Sequence, residues 1–280
     1  MGCDVTRDFL AGWRNAARRL PGLVPVVRLI RRFADQQMRA LYRLPPAQAR
    51  LLLQTSPFTL PDRYPAMFGF VRLELAETPA PRLLSYGCST GEEAFALRDY
   101  FPDAEITAID INAHSIAKAR ARLQQRPDSR MHFNQAASPD DCPTDSFDAI
   151  FCMAVMRHGA LGAGLPDRCD HLIDFAKVEA LAADLSRCLK PGGYLAIWHA
   201  NFRFSDMAAS ADFRTALRLP WCDQANHPLY GRDNRRIDHA PYTDAVFRKQ
   251  GGQATTARPR RTRSSANSST SRLQVSASTS

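Results

Sequence analysis

The chain is poor in several features that would place it early. No apolar run approaches the roughly 18 residues that a membrane-spanning helix needs, and no continuous apolar stretch follows the start as a secretory leader would require. These absences predict a cytoplasmic protein. The seven cysteines, Cys3, Cys88, Cys142, Cys152, Cys169, Cys188 and Cys222, form no C-x-x-C pair and no metal-ligand spacing. An odd set without such pairs reads as structural thiols in a reducing compartment and argues against both a disulfide framework and a metal centre. Internal repeats are absent. Acidic residues are absent from 251–280, which hold five Arg, and scarce in 1–50, where ten Arg face three Asp. The net charge of +9 therefore sits in the two ends, and residues 51–250 are slightly acidic. Nucleic-acid binding inferred from the overall basicity would concern those ends alone.

What is present is ordinary globular material, 45% apolar and 23% charged, long enough for one large domain with appendages. Three regions emerge. Residues 1–80 read as an N-terminal helical extension and linker, with one helix over 24–41 and a second following "PPAQARLLLQ". The first carries apolar residues at helical spacing with Arg28, Arg31, Arg32 and Arg39 largely off that face, so it is either a cap packed on the main domain or a surface for an acidic partner or membrane headgroups. The start also fits an N-myristoylation pattern through Gly2 and Thr6, although the Arg/Ala-rich composition suggests a bacterial chain, where that modification is not expected. Residues 251–280 are Ser, Thr, Ala, Gly and Arg with almost nothing to bury, the signature of a disordered tail.

Between these, residues 81–250 alternate strand and helix. "RLLSYG", "EITAIDI", "MHFNQA", "FDAIFCMAV" and "YLAIWHA" read as strands; "EEAFALRDYF", "SIAKARARLQQ" and 172–189 read as helices, with "KPGG" as a turn. A helix near 206–217 and a last strand "TDAVFRK" complete the series. The alternation predicts an α/β fold, a doubly wound and mostly parallel sheet with helices on both faces.

Ligands of such sheets sit beyond the carboxyl ends of the strands, near the switch point. The first turn there is Gly87-Cys88-Ser89-Thr90-Gly91, followed at once by Glu92 and Glu93. It is not G-x-G-x-x-G and lacks the lysine of a nucleotide-triphosphate loop. Two acids at the helix start would repel a pyrophosphate and attract a cationic ligand end, while backbone N–H groups of the turn would remain for a carboxylate. A capping box, Ser89 with Glu92 or Thr90 with Glu93, explains the acids equally well. Asp110 ends the second strand, 19 residues after Gly91, where a carboxylate can accept hydrogen bonds from both ribose hydroxyls. Asn112 or Ser115 can then cap the next helix. Residues Gln135 to Ala137 end the third strand and can flank an adenine, and Cys152 and Met153 lie near the end of the fourth.

This succession, with "LKPGGYL" before the fifth strand, resembles the class I S-adenosylmethionine-dependent methyltransferases over roughly residues 81–200. The resemblance implies their Rossmann-like, seven-stranded-type sheet, S-adenosylmethionine as cofactor and S-adenosylhomocysteine as product. Gly87, Cys88, Ser89, Gly91, Glu92, Asp110, Ile111, Ala136, Cys152 and Met153 are the expected cofactor residues. "GCSTGEE" is also similar to the first motif of chemotaxis-receptor glutamate methyltransferases, but Ala154 stands where their fourth-strand motif has Asn, and Ser85 stands where many class I enzymes have an acid.

No catalytic residue can be demanded of methyl transfer, because a base is needed only for a protonated nucleophile. His158, in the long connection 156–171 with its three glycines, and His199, after the fifth strand, are the candidates; Asn201 lies near the same floor. The connection itself reads as a substrate-recognition loop, Cys152 as a packing residue. A small-molecule acceptor is expected, with a protein glutamate as one alternative and a non-enzymatic binding module as another.

Overall fold

In a computed structural model of the chain, residues 36–56, 59–220, 227–238 and 241–251 are described. Residues 24–35 of the helix expected over 24–41, and the tail from 252, lie outside them. Five strands run parallel: β1 (Arg82–Tyr86), β2 (Glu105–Asp110), β3 (Met131–Gln135), β4 (Phe147–Met153) and β5 (Leu189–Trp198). Two more, β6 (Phe213–Arg218) and β9 (Asp244–Lys249), close one edge antiparallel, giving the order β3-β2-β1-β4-β5-β9-β6. A two-stranded ribbon, β7 (Leu229–Tyr230) with β8 (Arg236–Ile237), stands apart from the sheet.

Strand alternation decides which side each apolar residue serves. Leu84 and Ile150 face one core, where α7 (Phe175–Cys188) contributes Phe175, Val178, Leu181 and Leu185. Leu83 and Phe151 face the other, covered by α3 (Pro65–Glu74), α4 (Glu92–Tyr100) and α5 (Ala113–Gln125). The sheet is thus buried on both faces, which is why its strands read as near-continuous apolar runs.

Two shorter helices, α1 (Gln36–Tyr42) and α2 (Pro46–Ala49), precede these and contribute no buried residue to the core. Gln37 Nε2 donates to Ser115 Oγ at 3.3 Å, and Asn112 Nδ2 donates to the Gln37 carbonyl at 3.0 Å, so α1 is tied to the start of α5. The second helix expected with "PPAQARLLLQ" is the single turn Pro46–Ala49. Residues 51–56 run on irregularly because Leu53 is drawn into the core beneath.

Three further expectations are corrected. The helix expected near 206–217 is two short 3₁₀ turns followed by β6; Phe213, Thr215 and Leu217 pair with β9, so tertiary pairing sets a period of two where propensity suggested a helix. The "KPGG" turn is absorbed into β5, as a register irregularity against β4 with Gly192 at φ +83°. Helix α7 starts at Phe175, after Asp174 accepts from the Ala176 N–H, so Leu172 lies outside it. Among the described residues, no helix is long and apolar enough to cross a membrane.

Candidate active site

The chain leaves β1 through a turn whose backbone is folded on itself. Gly87, Ser89 and Gly91 all adopt positive φ, at +76°, +49° and +91°. The Gly87 and Cys88 N–H groups both donate to the Ile109 carbonyl, at 2.8 and 3.0 Å, and the Gly91 N–H donates to the Cys88 carbonyl at 2.9 Å. The Ser89 N–H donates to Asp110 Oδ2 at 2.9 Å. Four of the turn's amides are therefore engaged within the protein. The turn is not an anion cradle, and the expectation that it offers these N–H groups to a ligand carboxylate is corrected. The glycines are required by space as well as by φ: a Cβ on Gly87 would fall 2.3 Å from Val155 Cγ2, and one on Gly91 would fall 3.0 Å from the Phe133 ring and 3.2 Å from Ala119.

Asp110 ends β2 with its carboxylate held by two amides, Ser89 N–H on Oδ2 and Asn112 N–H on Oδ1 at 2.7 Å. Burial raises its pKa above the usual carboxylate value, and those two donors oppose the rise. Asn112 caps α5 by accepting from the His114 and Ser115 N–H groups.

Helical phase separates the two acids after the turn, since successive side chains point about 100° apart on an α-helix. Glu92 turns outward, where Arg122 Nη1 donates to it at 2.7 Å and Thr90 Oγ1 at 2.6 Å. It does not line the cavity, contrary to its placement among the cofactor residues. Glu93 turns inward, and Ser85 Oγ donates to its Oε1 at 2.7 Å. Ser85, one residue before the end of β1, stands where an acid was missed, and Glu93 brings a carboxylate to that spot from the helix. Burial pushes Glu93 up to about 8, against the opposing hydrogen bond from Ser85 and the charge of Arg63. Neither capping box forms, because the N-cap is Gly91.

A cavity of about 310 Å³ opens over the carboxyl ends of the strands, at the small end of the range for ligand pockets. Gly87, Cys88, Ser89, Asp110, Ile111, Ala136 and Met153 line it as expected. Gly91 lies behind the turn, and Cys152 is fully buried in the α7 core with its thiol pKa driven up by desolvation. Residues 52–56 and Leu41 form the roof, and Gln54 Nε2 donates to the Ala154 carbonyl at 3.5 Å. Ala154 and His199, which follow β4 and β5, both take left-handed φ, +59° and +54°.

The two histidine candidates part company. His158 is absent from the cavity wall; its backbone N–H donates to Asn201 Oδ1 at 2.8 Å, and burial with the nearby His171 lowers its ring pKa. His199 lines the cavity, and Arg157 Nη1 lies 3.0 Å from its Nδ1. A guanidinium can only donate, so Nδ1 accepts and the ring proton sits on Nε2. Asn201 is wholly buried, and its Nδ2 donates to the Pro228 carbonyl at 2.7 Å while its backbone N–H donates to the Met156 carbonyl at 2.8 Å. It clasps the 156–158 segment to the ribbon and is structural.

The connection 156–171, which holds the one-turn α6 (Leu161–Gly164), is pinned rather than hinged. Leu161 and Cys169 are buried, the Cys169 N–H donates to the Asn234 carbonyl, and the Arg236 N–H donates to the Asp167 carbonyl. Arg157 and Gly159 reach the cavity wall. Arg63 and Tyr64, ahead of α3, also line it; nothing in their local sequence marks them, because they lie more than twenty residues before the first motif.

Comparison with known proteins agrees with this geometry. Residues 84–195 match the family model described as a methyltransferase domain. Over this stretch the chain is similar to methyltransferase domains. Its trans-aconitate 2-methyltransferase relatives include one from Acidovorax sp. strain JS42, 35% identical over 120 residues, which are 42% of this chain and 38% of that protein. Another, from Methylobacterium radiotolerans, is 30% identical over 180 residues, 61% of this chain and 59% of that one. A protein from Synechococcus sp. with no functional name is 36% identical over 137 residues, 48% of this chain and 29% of that protein. The chain spans about a third of the length of the first curated relatives it matches. The matched methyltransferase domain covers the first turn, Asp110 and the "KPGG" segment, and belongs to a cofactor class that uses S-adenosylmethionine. The chemotaxis-receptor reading of the first turn gains no support from these relatives.

Proposed function

We propose that the domain binds S-adenosylmethionine in the cavity over β1, β2 and β4 and transfers its methyl group to a small-molecule acceptor. The observation that carries this reading is the Asp110 carboxylate at the switch point. Two of its lone-pair directions are filled by backbone amides, and a carboxylate has about four. The remaining two suit a pair of vicinal ribose hydroxyls. Glu93 gives the opposite side of the turn a carboxylate suited to an ammonium, and Ile111, Ala136 and Met153 supply apolar walls for a purine. The engaged amides of the turn disfavour a pyrophosphate ligand, and with it a nicotinamide dinucleotide.

When bound, the cofactor supplies an electrophilic methyl group on a sulfonium. The chain's own residues bind, orient and exclude water, which is most of what an in-line displacement asks of a protein. Calorimetric titration with S-adenosylhomocysteine tests the reading. Asp110→Ala should weaken binding by about 1.5–3 kcal/mol, as for hydrogen bonds to a charged group. Absence of heat with the unaltered protein would refute it, and binding without methyl transfer to any acceptor would leave a binding module.

A further inference from the structure

At the β4–β5 end of the cavity, two guanidinium groups share one wall. Arg63 precedes α3 and Arg157 follows β4. Arg157 is half-buried, and both its lost hydration and the charge of Arg63 weaken its hold on its proton. Two like charges beside a partly dry cavity favour an anion between them. Tyr64 lies in the same wall. The residue is 7% exposed, and its ring sits 5.7 Å from the His199 ring and has the Arg63 guanidinium 5.3 Å from its centroid. Its hydroxyl is buried and bonded to no group. Leaving such a hydroxyl unsatisfied costs about 1–3 kcal/mol, and a native structure that does so calls for an explanation. His199 lines the same wall. Two of these side chains are cationic; the Glu93 carboxyl also lines the cavity and acts on Arg63 and Tyr64, and burial favours its neutral form.

We infer that this wall is a carboxylate subsite for the methyl acceptor, with Arg63 and Arg157 neutralising the anion and the Tyr64 hydroxyl completing its hydrogen bonds. The inference rests on the methyltransferase reading above. Three strand spacings, β2 to β1 to β4 to β5, separate this end from Asp110 by roughly 14 Å, which leaves the first end to the nucleoside. The cofactor's amino-acid end also carries a carboxylate, so the experiment separates the two sources.

Glutarate and its uncharged analogue glutaramide are titrated into the full chain saturated with S-adenosylhomocysteine, and glutarate into the chain alone. The same titrations are run on Tyr64→Phe and Arg157→Lys. Both variants are also titrated with S-adenosylhomocysteine and with 5′-methylthioadenosine, which lacks the amino-acid end. Glutarate should bind and glutaramide should not, and each variant should weaken glutarate by about tenfold or more while retaining affinity for S-adenosylhomocysteine. Retained cofactor affinity shows that the variant is folded. No heat from glutarate, or equal glutarate affinity in the variants, overturns the subsite. Variants that lose S-adenosylhomocysteine but keep 5′-methylthioadenosine overturn it too, by giving the wall to the cofactor's own carboxylate. Glutarate binding in a protein that never binds S-adenosylhomocysteine would keep the subsite and remove the methyltransferase reading.

Discussion

Glu93→Gln isolates the group on which cofactor electrostatics turn. In the unliganded protein burial holds the Glu93 carboxyl at about 8, so near neutral pH it is mostly protonated. An ammonium placed against it favours the ionised form, so binding must release that proton. Below about pH 8 affinity should then rise with pH, by up to about tenfold per unit, because one proton leaves per ligand bound. Calorimetry with S-adenosylhomocysteine between pH 6 and 8, in buffers of different ionisation enthalpy, counts the proton directly. Glutamine keeps the shape and an acceptor for Ser85 but cannot ionise, so the profile should flatten. Affinity at pH 8 should fall by about 1.5–3 kcal/mol, the range for a charge-assisted hydrogen bond. Stability gives a second readout with a definite sign. A carboxyl whose folded pKa is raised favours the folded state most below about pH 4.5, and that contribution is lost as pH rises through about 8. The full shift corresponds to at most about 5 kcal/mol, and water entering the half-buried site reduces it. The variant should lose this decline in stability. An unchanged pH slope of binding in Glu93→Gln would refute the reasoning.

Two substitutions test the scaffold beneath the site. Gly87→Ala should destabilise by about 1–3 kcal/mol, because its Cβ would meet Val155 Cγ2 at 2.3 Å and its φ is positive; if denaturant unfolding shows no loss, the turn is not as tight as described. Asn201→Ala should cost about 2–4 kcal/mol in the same assay by stripping partners from the His158 N–H and the Pro228 carbonyl. S-adenosylhomocysteine affinity of the folded Asn201→Ala protein should be unchanged, and a large loss would move Asn201 into the binding machinery.

The strand–helix alternation from Arg82 to Trp198 was legible because a sheet buried on both faces leaves apolar runs, and turns leave glycines. Asp110 was legible for a similar reason, since the carboxyl end of the second strand is a place fixed by topology. The edge strand β6 was not legible, because its pairing with β9 is a contact between segments far apart in sequence. The single-turn α2 and the absorbed "KPGG" turn were misread on the same ground: local propensity names a segment's preference, and packing decides whether it is exercised.

By itself, the sequence determined the fold class, pointed to the switch point where the cavity lies, and suggested a chemistry through Asp110 and the paired acids. Only the tertiary structure decided which acid faces the cavity. Glu92 and Glu93 are adjacent and alike, and a rotation of about 100° sends one to Arg122 and the other to Ser85. Tertiary structure likewise removed His158 from the cavity, placed the His199 ring proton on Nε2, and brought Arg63, Tyr64 and Arg157 to one wall from positions almost a hundred residues apart. A pattern along the chain records neighbours in sequence, whereas an active site is an arrangement of neighbours in space.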